Sequence, residues 1–271
     1  MPELPEVETI KSQISPLLPL VIVQIKESIH ADGLILEKQF EPQNKTINSI
    51  VRFGKTIQFN LSNDCHIVSG LGMTGNWRIS EKPLSIPHKH LELSCLKNKK
   101  KIYISYVDPR RFGFLSYLNE NGLKEFLKKF GVDPTSDEFT PDYIYKSLKR
   151  YPERKLKPFL LDQKFFPGIG NYMACEICAR AGILPTRKAK KITKKDAENI
   201  KLATDSLLKE SIKNNGVTFA GGYVDANGSK GEGLNNLVVF FQEVCGLCKK
   251  EKVKKVFLAG RGTYYCPKCQ K

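Results

Sequence analysis

Hydrophobic positions along this chain follow two rhythms, and the change from one to the other divides it. Near the start, Val7, Ile10, Ile14, Leu17 and Leu18 fall at helical spacing, which predicts an amphipathic helix. Val21–Ser28 then reads as a strand. From residue 47 to residue 118 the pattern shortens to alternating runs: Ile47–Phe53, Thr56–Leu61, His66–Gly70, Leu91–Leu96, Lys101–Val107 and Phe112–Leu118. Breaks at Gly54, Asn63-Asp64, Gly75 and Asn98 suit turns between strands. Several short strands at this spacing predict a β-sandwich or barrel packed against the first helix.

The rhythm changes near Gly131. Residues 131–140 are rich in turn formers and read as a linker. Beyond it, helices are expected over Asp142–Arg150, Lys155–Asp162, Gly170–Gly182 and Thr193–Asn214. Thr193 and Asp196 offer a capping box to the last of these, and Gly182 followed by Pro185 suits a helix C-terminus. A glycine-rich stretch, Gly216–Gly233, leads into an apolar run, Leu237–Phe241, expected as a strand. The fold class is therefore α+β, a β-sandwich with a flanking helix followed by a helical region.

Charge sharpens this picture. The chain of 271 residues carries 44 Lys and Arg against 28 Asp and Glu, a formal net charge of +16. Such a surplus points to a polyanionic partner, nucleic acid first, although solubility alone also favours charge. Basic runs at 97–101 and 186–195 read as solvated loops with general attraction for an anion. No apolar run is long enough for a membrane helix, and the N-terminus lacks a signal-peptide pattern, so an intracellular protein is expected.

In that setting eight cysteines argue against a disulfide framework. Four of them form two CxxC pairs, Cys245/Cys248 and Cys266/Cys269, separated by 17 residues. This is zinc-ribbon spacing, and it predicts one structural zinc ion in a closed Cys₄ site with no open position for substrate. Cys175 and Cys178 lie in a helical pattern and read as small buried hydrophobes.

Candidate chemistry begins at Pro2. A small residue after Met1 usually permits removal of the methionine, which leaves a secondary amine. α-Amino groups titrate at about pH 8, so about a tenth of that amine is unprotonated at neutrality, a far larger share than for a lysine. It can attack a carbonyl-like carbon to form an iminium ion, with Glu3 as general acid or base and Glu6 one helical turn beyond. The same residues also suit an ordinary helix start. Arg261, between Gly260 and Gly262, suits bidentate phosphate binding on a rigid tip and equally suits an unremarkable surface. Pro167, Gly168 and Gly170 make a tight turn before a helix N-terminus, where Asn171 is expected as the cap. Lys55 follows a glycine turn. Met73 lies in Gly70-Leu-Gly-Met-Thr-Gly75, and Arg110, Arg111 and Phe112 lie in Asp108–Gly113.

Taken in order, Pro2-Glu-Leu-Pro-Glu-Val-Glu8, Lys55, Met73 with Arg110-Arg111-Phe112, Leu-Lys-Pro-Phe-Leu-Leu-Asp-Gln163 with Gly168-Ile-Gly-Asn171, and the Arg261 ribbon resemble the formamidopyrimidine-DNA glycosylases, relatives of endonuclease VIII. The resemblance spans nearly the whole chain. It implies residues 1–130 as a catalytic β-sandwich domain and 131–140 as a linker. It further implies residues 141–234 as a helix–two-turn–helix DNA-binding domain with a lesion-capping loop, and 235–271 as a zinc-finger hairpin. It implies a monomeric base-excision repair enzyme acting on duplex DNA with oxidised bases or abasic sites. Pro2 is then the nucleophile and Glu3 its proton-transfer partner, supported by Glu6. Lys55, Arg111, Asn171 and Arg261 meet backbone phosphate, Lys55 also assisting strand cleavage. Met73, Arg110 and Phe112 fill the space left by an extruded nucleotide.

Three departures bear on substrate preference. Gly70 stands where the family usually has His, Ala220-Gly221-Gly222 replaces a more polar capping segment, and Gln242-Glu243 replaces a basic, glycine-rich lead-in. Leu4 leans toward the formamidopyrimidine branch, expected to remove formamidopyrimidines and 8-oxoguanine. An endonuclease VIII-like preference for oxidised pyrimidines and a non-catalytic zinc-ribbon DNA-binding protein are the competing readings.

Overall fold

The computed structural model describes residues 2–271, so the expected removal of Met1 lies outside the described residues. The chain packs as two compact units. One runs to Lys129 and takes in Asn214–Glu232; the other comprises Phe130–Lys213 and Gly233–Lys271.

The first unit opens with α1 (Leu4–Ile14). Its start is set by a capping box, in which the side chain of Glu3 accepts from the backbone N–H of Glu6, and the Glu6 carboxylate accepts from that of Glu3. Nine strands follow: β1 (Leu20–Glu27), β2 (Ile35–Lys38), β3 (Thr46–Phe53), β4 (Thr56–Leu61), β5 (Cys65–Gly70), β6 (Asn76–Ser80), β7 (Lys89–Lys97), β8 (Lys100–Val107) and β9 (Phe114–Asn119). They join in one sheet, ordered β2-β9-β5-β4-β3-β1-β7-β8-β6.

That sheet is folded over on itself. β4 and β6 are five strands apart in the order, which in a flat sheet means about 24 Å. Yet Phe59 of β4 and Trp77 of β6 have ring centroids 4.8 Å apart, and Trp77 Nε1 donates to Ser69 Oγ of β5 at 2.7 Å. The two layers enclose one core, in which Ile57, Phe59, Trp77, Leu91, Ile104 and Tyr106 are buried with Val7, Ile10 and Ile14 of α1. The expected sandwich against a helix is present, built from one continuous sheet. Two strands and a short helix, α2 (Glu120–Leu127), were not foreseen. β2 lies at the sheet edge with mostly exposed residues, and β6 is five residues long, so neither shows a clear alternation.

The second unit carries α3 (Pro141–Lys149), α4 (Leu156–Leu160), α5 (Asn171–Arg180) and α6 (Lys194–Lys213), followed by the hairpin β10 (Lys254–Leu258) and β11 (Arg261–Tyr265). The Thr193–Asp196 capping box forms as expected, and Gly182 takes φ +72° after α5. The hairpin turns through Ala259 and Gly260 at φ 48° and 71°, the pattern that matches strand twist. Leu237–Phe241 is not a strand. The amides of Val238, Val239 and Phe240 donate to the buried Glu176 carboxylate at 2.8–2.9 Å, so a side chain takes the bonds a neighbouring strand would otherwise make. Burial pushes the Glu176 carboxyl up in spite of those three amides. Among the described residues no helix is long and apolar enough to cross a membrane.

Candidate catalytic and nucleic-acid-binding residues

In the first unit, Pro2 is buried at the start of α1, and Glu3 and Glu6 are buried behind it. Glu6 Oε2 accepts from Glu3 N at 2.7 Å, and Oε1 accepts from Val217 N at 2.7 Å. Glu6 therefore joins the helix start to a segment 211 residues later. Gly216 is required beside it: its φ is +82°, and a Cβ there would stand 2.8 Å from the Glu6 side chain. Gln13, two turns along, reaches the same segment, donating to Asp225 Oδ2 at 2.7 Å and accepting from Ala226 N at 2.8 Å. These bonds explain why Asn214–Glu232 groups with the sheet, whereas the sequence reading placed it with the helical residues before it.

Lys55 is half-buried in the two-residue turn between β3 and β4, after Gly54 at φ +56°. The turn is anchored by Arg52, whose Nε donates to Glu8 Oε2 at 2.9 Å and whose Nη1 donates to the Gly54 carbonyl at 3.1 Å. Burial would raise the Glu8 carboxyl, but Lys11 and Arg52 beside it outweigh that and hold it below its usual range. A chain of polar contacts thus runs from α1 to the turn carrying Lys55.

The loops bearing Met73 and Arg110-Arg111-Phe112 are tied together by Asp108, which the sequence reading assigned no role. Its buried carboxylate accepts from Thr74 Oγ1 at 2.5 Å and from Gly113 N at 2.8 Å, and Arg110 N donates to Thr74 Oγ1 at 3.2 Å. Gly72 permits the close approach, because a Cβ there would lie 2.4 Å from the Phe112 carbonyl. Arg111 is held at φ 52°, a costly conformation for a side chain of its size. On this scaffold Met73 and Phe112 are 37% and 58% exposed, and the Arg110 guanidinium lies 4.6 Å over the Phe112 ring. Large apolar side chains held out on a rigid base suit insertion into a partner.

Gly70 has a local explanation. It pairs with Phe114 across β5 and β9, and a Cβ there would stand 2.3 Å from the Phe114 ring. The ring occupies the space that a side chain at position 70 needs. Two buried polar atoms of β6, Asn76 Oδ1 and Arg78 Nε, have no hydrogen-bond partner among the described residues.

In the second unit, Asn171 is not the cap of α5. Gly170 holds that position, and Asn171 is the first helical residue. Its side chain is committed elsewhere: Oδ1 accepts from Lys157 Nζ at 2.7 Å, and Nδ2 donates to the Gly262 carbonyl at 3.1 Å. Lys157 is fully buried and also donates to Thr263 Oγ1 at 2.8 Å and to the Gly262 carbonyl at 3.3 Å. The pair fixes the backbone next to Arg261, which itself is exposed at the start of β11. Lys157 and Glu176 carried no sequence signal beyond the strings they sit in; a lysine one residue before a proline in a helical pattern reads as surface.

Cys245, Cys248, Cys266 and Cys269 converge, with their sulfurs within 4.8 Å of one another. The Cys245–Cys269 and Cys248–Cys266 sulfur distances are 4.0 and 3.9 Å. Metal–sulfur bonds of about 2.3 Å in a tetrahedron require sulfurs about 3.8 Å apart, so the cysteines fit a metal ion. Backbone N–H groups of Glu251 and Lys250 hold the Cys248 thiol down at about 6, whereas burial pushes the Cys245 thiol up and that of Cys269 up to about 12.

Comparison with known proteins agrees with this arrangement. Residues 1–115 match the model of the formamidopyrimidine-DNA glycosylase N-terminal domain, and residues 130–220 match that of the formamidopyrimidine-DNA glycosylase H2TH domain. The chain is 33% identical to the formamidopyrimidine-DNA glycosylase of Syntrophomonas wolfei over the full length of both, and 32% identical to that of Thermus thermophilus, covering 100% of this chain and 98% of the other. Among solved structures it resembles Lactococcus lactis Fpg in complex with DNA containing an oxidised pyrimidine (TM-score 0.87, 28% identity, all of both chains). It also resembles the Thermus thermophilus protein MutM (TM-score 0.84, 30% identity, covering 99% of this chain and 98% of that one). With domain models and full-length relatives in agreement, the chain belongs to the formamidopyrimidine-DNA glycosylase family.

Proposed function

We propose that this protein is a bifunctional DNA glycosylase and abasic-site lyase of base excision repair, acting inside the cell as a monomer on duplex DNA with oxidised bases, formamidopyrimidines and 8-oxoguanine first. The observation that carries the reading is the buried Glu3–Glu6 pair behind Pro2, with Glu6 bonded at both oxygens. A carboxylate held so firmly by backbone amides keeps its place while its neighbour moves a proton.

In this reading the Pro2 nitrogen, freed of Met1, attacks C1′ of the damaged nucleotide. The C1′–N bond breaks, the base leaves with its electron pair and a proton, and ring opening gives an iminium ion. Glu3 transfers the proton at the sugar. The iminium acidifies C2′–H, so β-elimination expels the 3′ phosphate; δ-elimination then expels the 5′ phosphate and leaves a one-nucleotide gap. Lys55, Arg111, Asn171 and Arg261 neutralise phosphate, and Met73, Arg110 and Phe112 offset the cost of unstacking, a few kcal/mol. The four cysteines hold one zinc ion that supplies structure to the ribbon.

Borohydride trapping on a duplex with one abasic site tests the reading. Native protein gives a covalent adduct that is lost when Met1 is retained and reduced in Pro2→Gly. Absence of an adduct from native protein with a free Pro2 and confirmed DNA binding rejects it. Replacing the abasic site by 8-oxoguanine or an oxidised pyrimidine then separates the two substrate preferences.

A further inference from the structure

The ribbon has an aromatic face that the chemistry above does not use. β10 and β11 pair Lys255 with Tyr264 and Phe257 with Gly262. Because side chains alternate across a strand, these four positions share one face, opposite that of Arg261 and Thr263. Gly262 offers no side chain to cover Phe257, which is 71% exposed. Lys255 Nζ lies 5.5 Å from the centroids of both the Phe257 and the Tyr264 rings. The Tyr264 ring is 5.1 Å from that of Phe241.

Phe241 is an independent anomaly. Its φ is 59°, a left-handed conformation that a bulky aromatic residue adopts only under strain. Its ring meets those of Phe240 and Tyr264 at 4.6 and 5.1 Å, and Phe241 nonetheless remains 60% exposed. The stretch from Cys245 to Lys271 also carries eight basic residues against one acidic residue, Glu251. Two outward rings bridged by a lysine and an inner tyrosine, on a strongly basic module, match the chemistry of unpaired nucleotides: bases stack on rings and phosphates meet cations.

We propose that the face formed by Phe241, Tyr264, Lys255 and Phe257 binds single-stranded nucleic acid, with Phe257 and Phe241 stacking on bases and Lys255 meeting phosphate. Stacking selects unpaired over duplex DNA, because bases within a duplex have no free ring face to offer. None of these four residues takes part in the Pro2 chemistry, and the proposal does not depend on it.

The test is anisotropy of a short labelled oligothymidine and of an undamaged duplex, across a salt series, with native protein, Phe257→Ser, Phe241→Gly and Lys255→Met. Phe241→Gly suits the left-handed backbone, and Phe257 is exposed, so both variants keep their fold. The expected result is roughly tenfold weaker oligothymidine binding for each lost ring with an unchanged salt slope, and a slope lower by about one for Lys255→Met. Unchanged affinity in both ring variants, or equal weakening on the duplex, overturns the proposal. So does a concentration-dependent dimer of native protein, without DNA, that Phe257→Ser abolishes, since the face then serves a second copy of the chain. Borohydride trapping by native protein, run in parallel, reports separately on the glycosylase reading.

Discussion

In the sheet unit, Glu3 and Glu6 are buried, and the bonds that fix Glu6 run to backbone amides at Glu3 and at Val217. In the helical unit the arrangement is reversed. Arg261 stands exposed, and what is fixed is the backbone beside it, where Lys157 and Asn171 both bond the Gly262 carbonyl. The loops of Met73 and Phe112 follow the second pattern, with exposed side chains above a buried Asp108. The difference matches what each group would meet under the proposed function. A carboxylate that handles protons needs a dry, fixed setting, whereas a group that meets a large polyanion must reach solvent. Reach without wandering demands that the backbone beneath it be locked instead.

The comparison breaks most completely at the ribbon. Removal by a chelator of the zinc proposed for the four cysteines, or Cys248→Ser, is expected to unfold the hairpin and free Arg261 from its anchor. DNA affinity should fall by roughly two orders of magnitude, about 3 kcal/mol, as Arg261 and the other basic residues of the ribbon lose their placement together. Circular dichroism should meanwhile show the sheet unit still folded; loss of both units together would contradict independent anchoring.

Next comes Glu6→Ala, which strands two buried amides. Denaturant unfolding should show a loss of about 2–4 kcal/mol, with more rapid hydrogen exchange at Val217. Retained protection at Val217 would mean that Glu6 does not hold the segment.

A smaller effect is expected at Glu8. Its folded carboxyl titrates below the unfolded value, so its stabilisation is full above about pH 5 and disappears as pH falls through the folded value. Glu8→Gln should therefore be about 1 kcal/mol less stable than native protein at neutral pH and equal to it in acid. A gap that persists in acid would assign the effect to packing rather than charge.

Much of the architecture was legible in the sequence because it depends on local rules. The α1 start, the Thr193–Asp196 box, the strand pair around Gly54-Lys55 and the CxxC spacing each follow from neighbours in the chain. β2 escaped notice because an edge strand need not alternate, and Leu237–Phe241 was misread because its apolar content could not reveal that Glu176 takes up its amides. Asn171 looked like a helix cap for the same reason: an asparagine after glycine suits that role locally, until Lys157 and Gly262 claim its side chain.

The sequence by itself determined which side chains are available for chemistry and in what order, since residue type and spacing are properties of the chain alone. Only the tertiary structure decided how they are held. It folded one sheet over so that Phe59 meets Trp77, placed Val217 against Glu6, put Asp108 beneath two loops and filled the space above Gly70 with Phe114. These join residues from 18 to 211 positions apart. Such pairings are chosen by collective burial of apolar surface and by the requirement that buried polar groups find partners, and no local pattern encodes them.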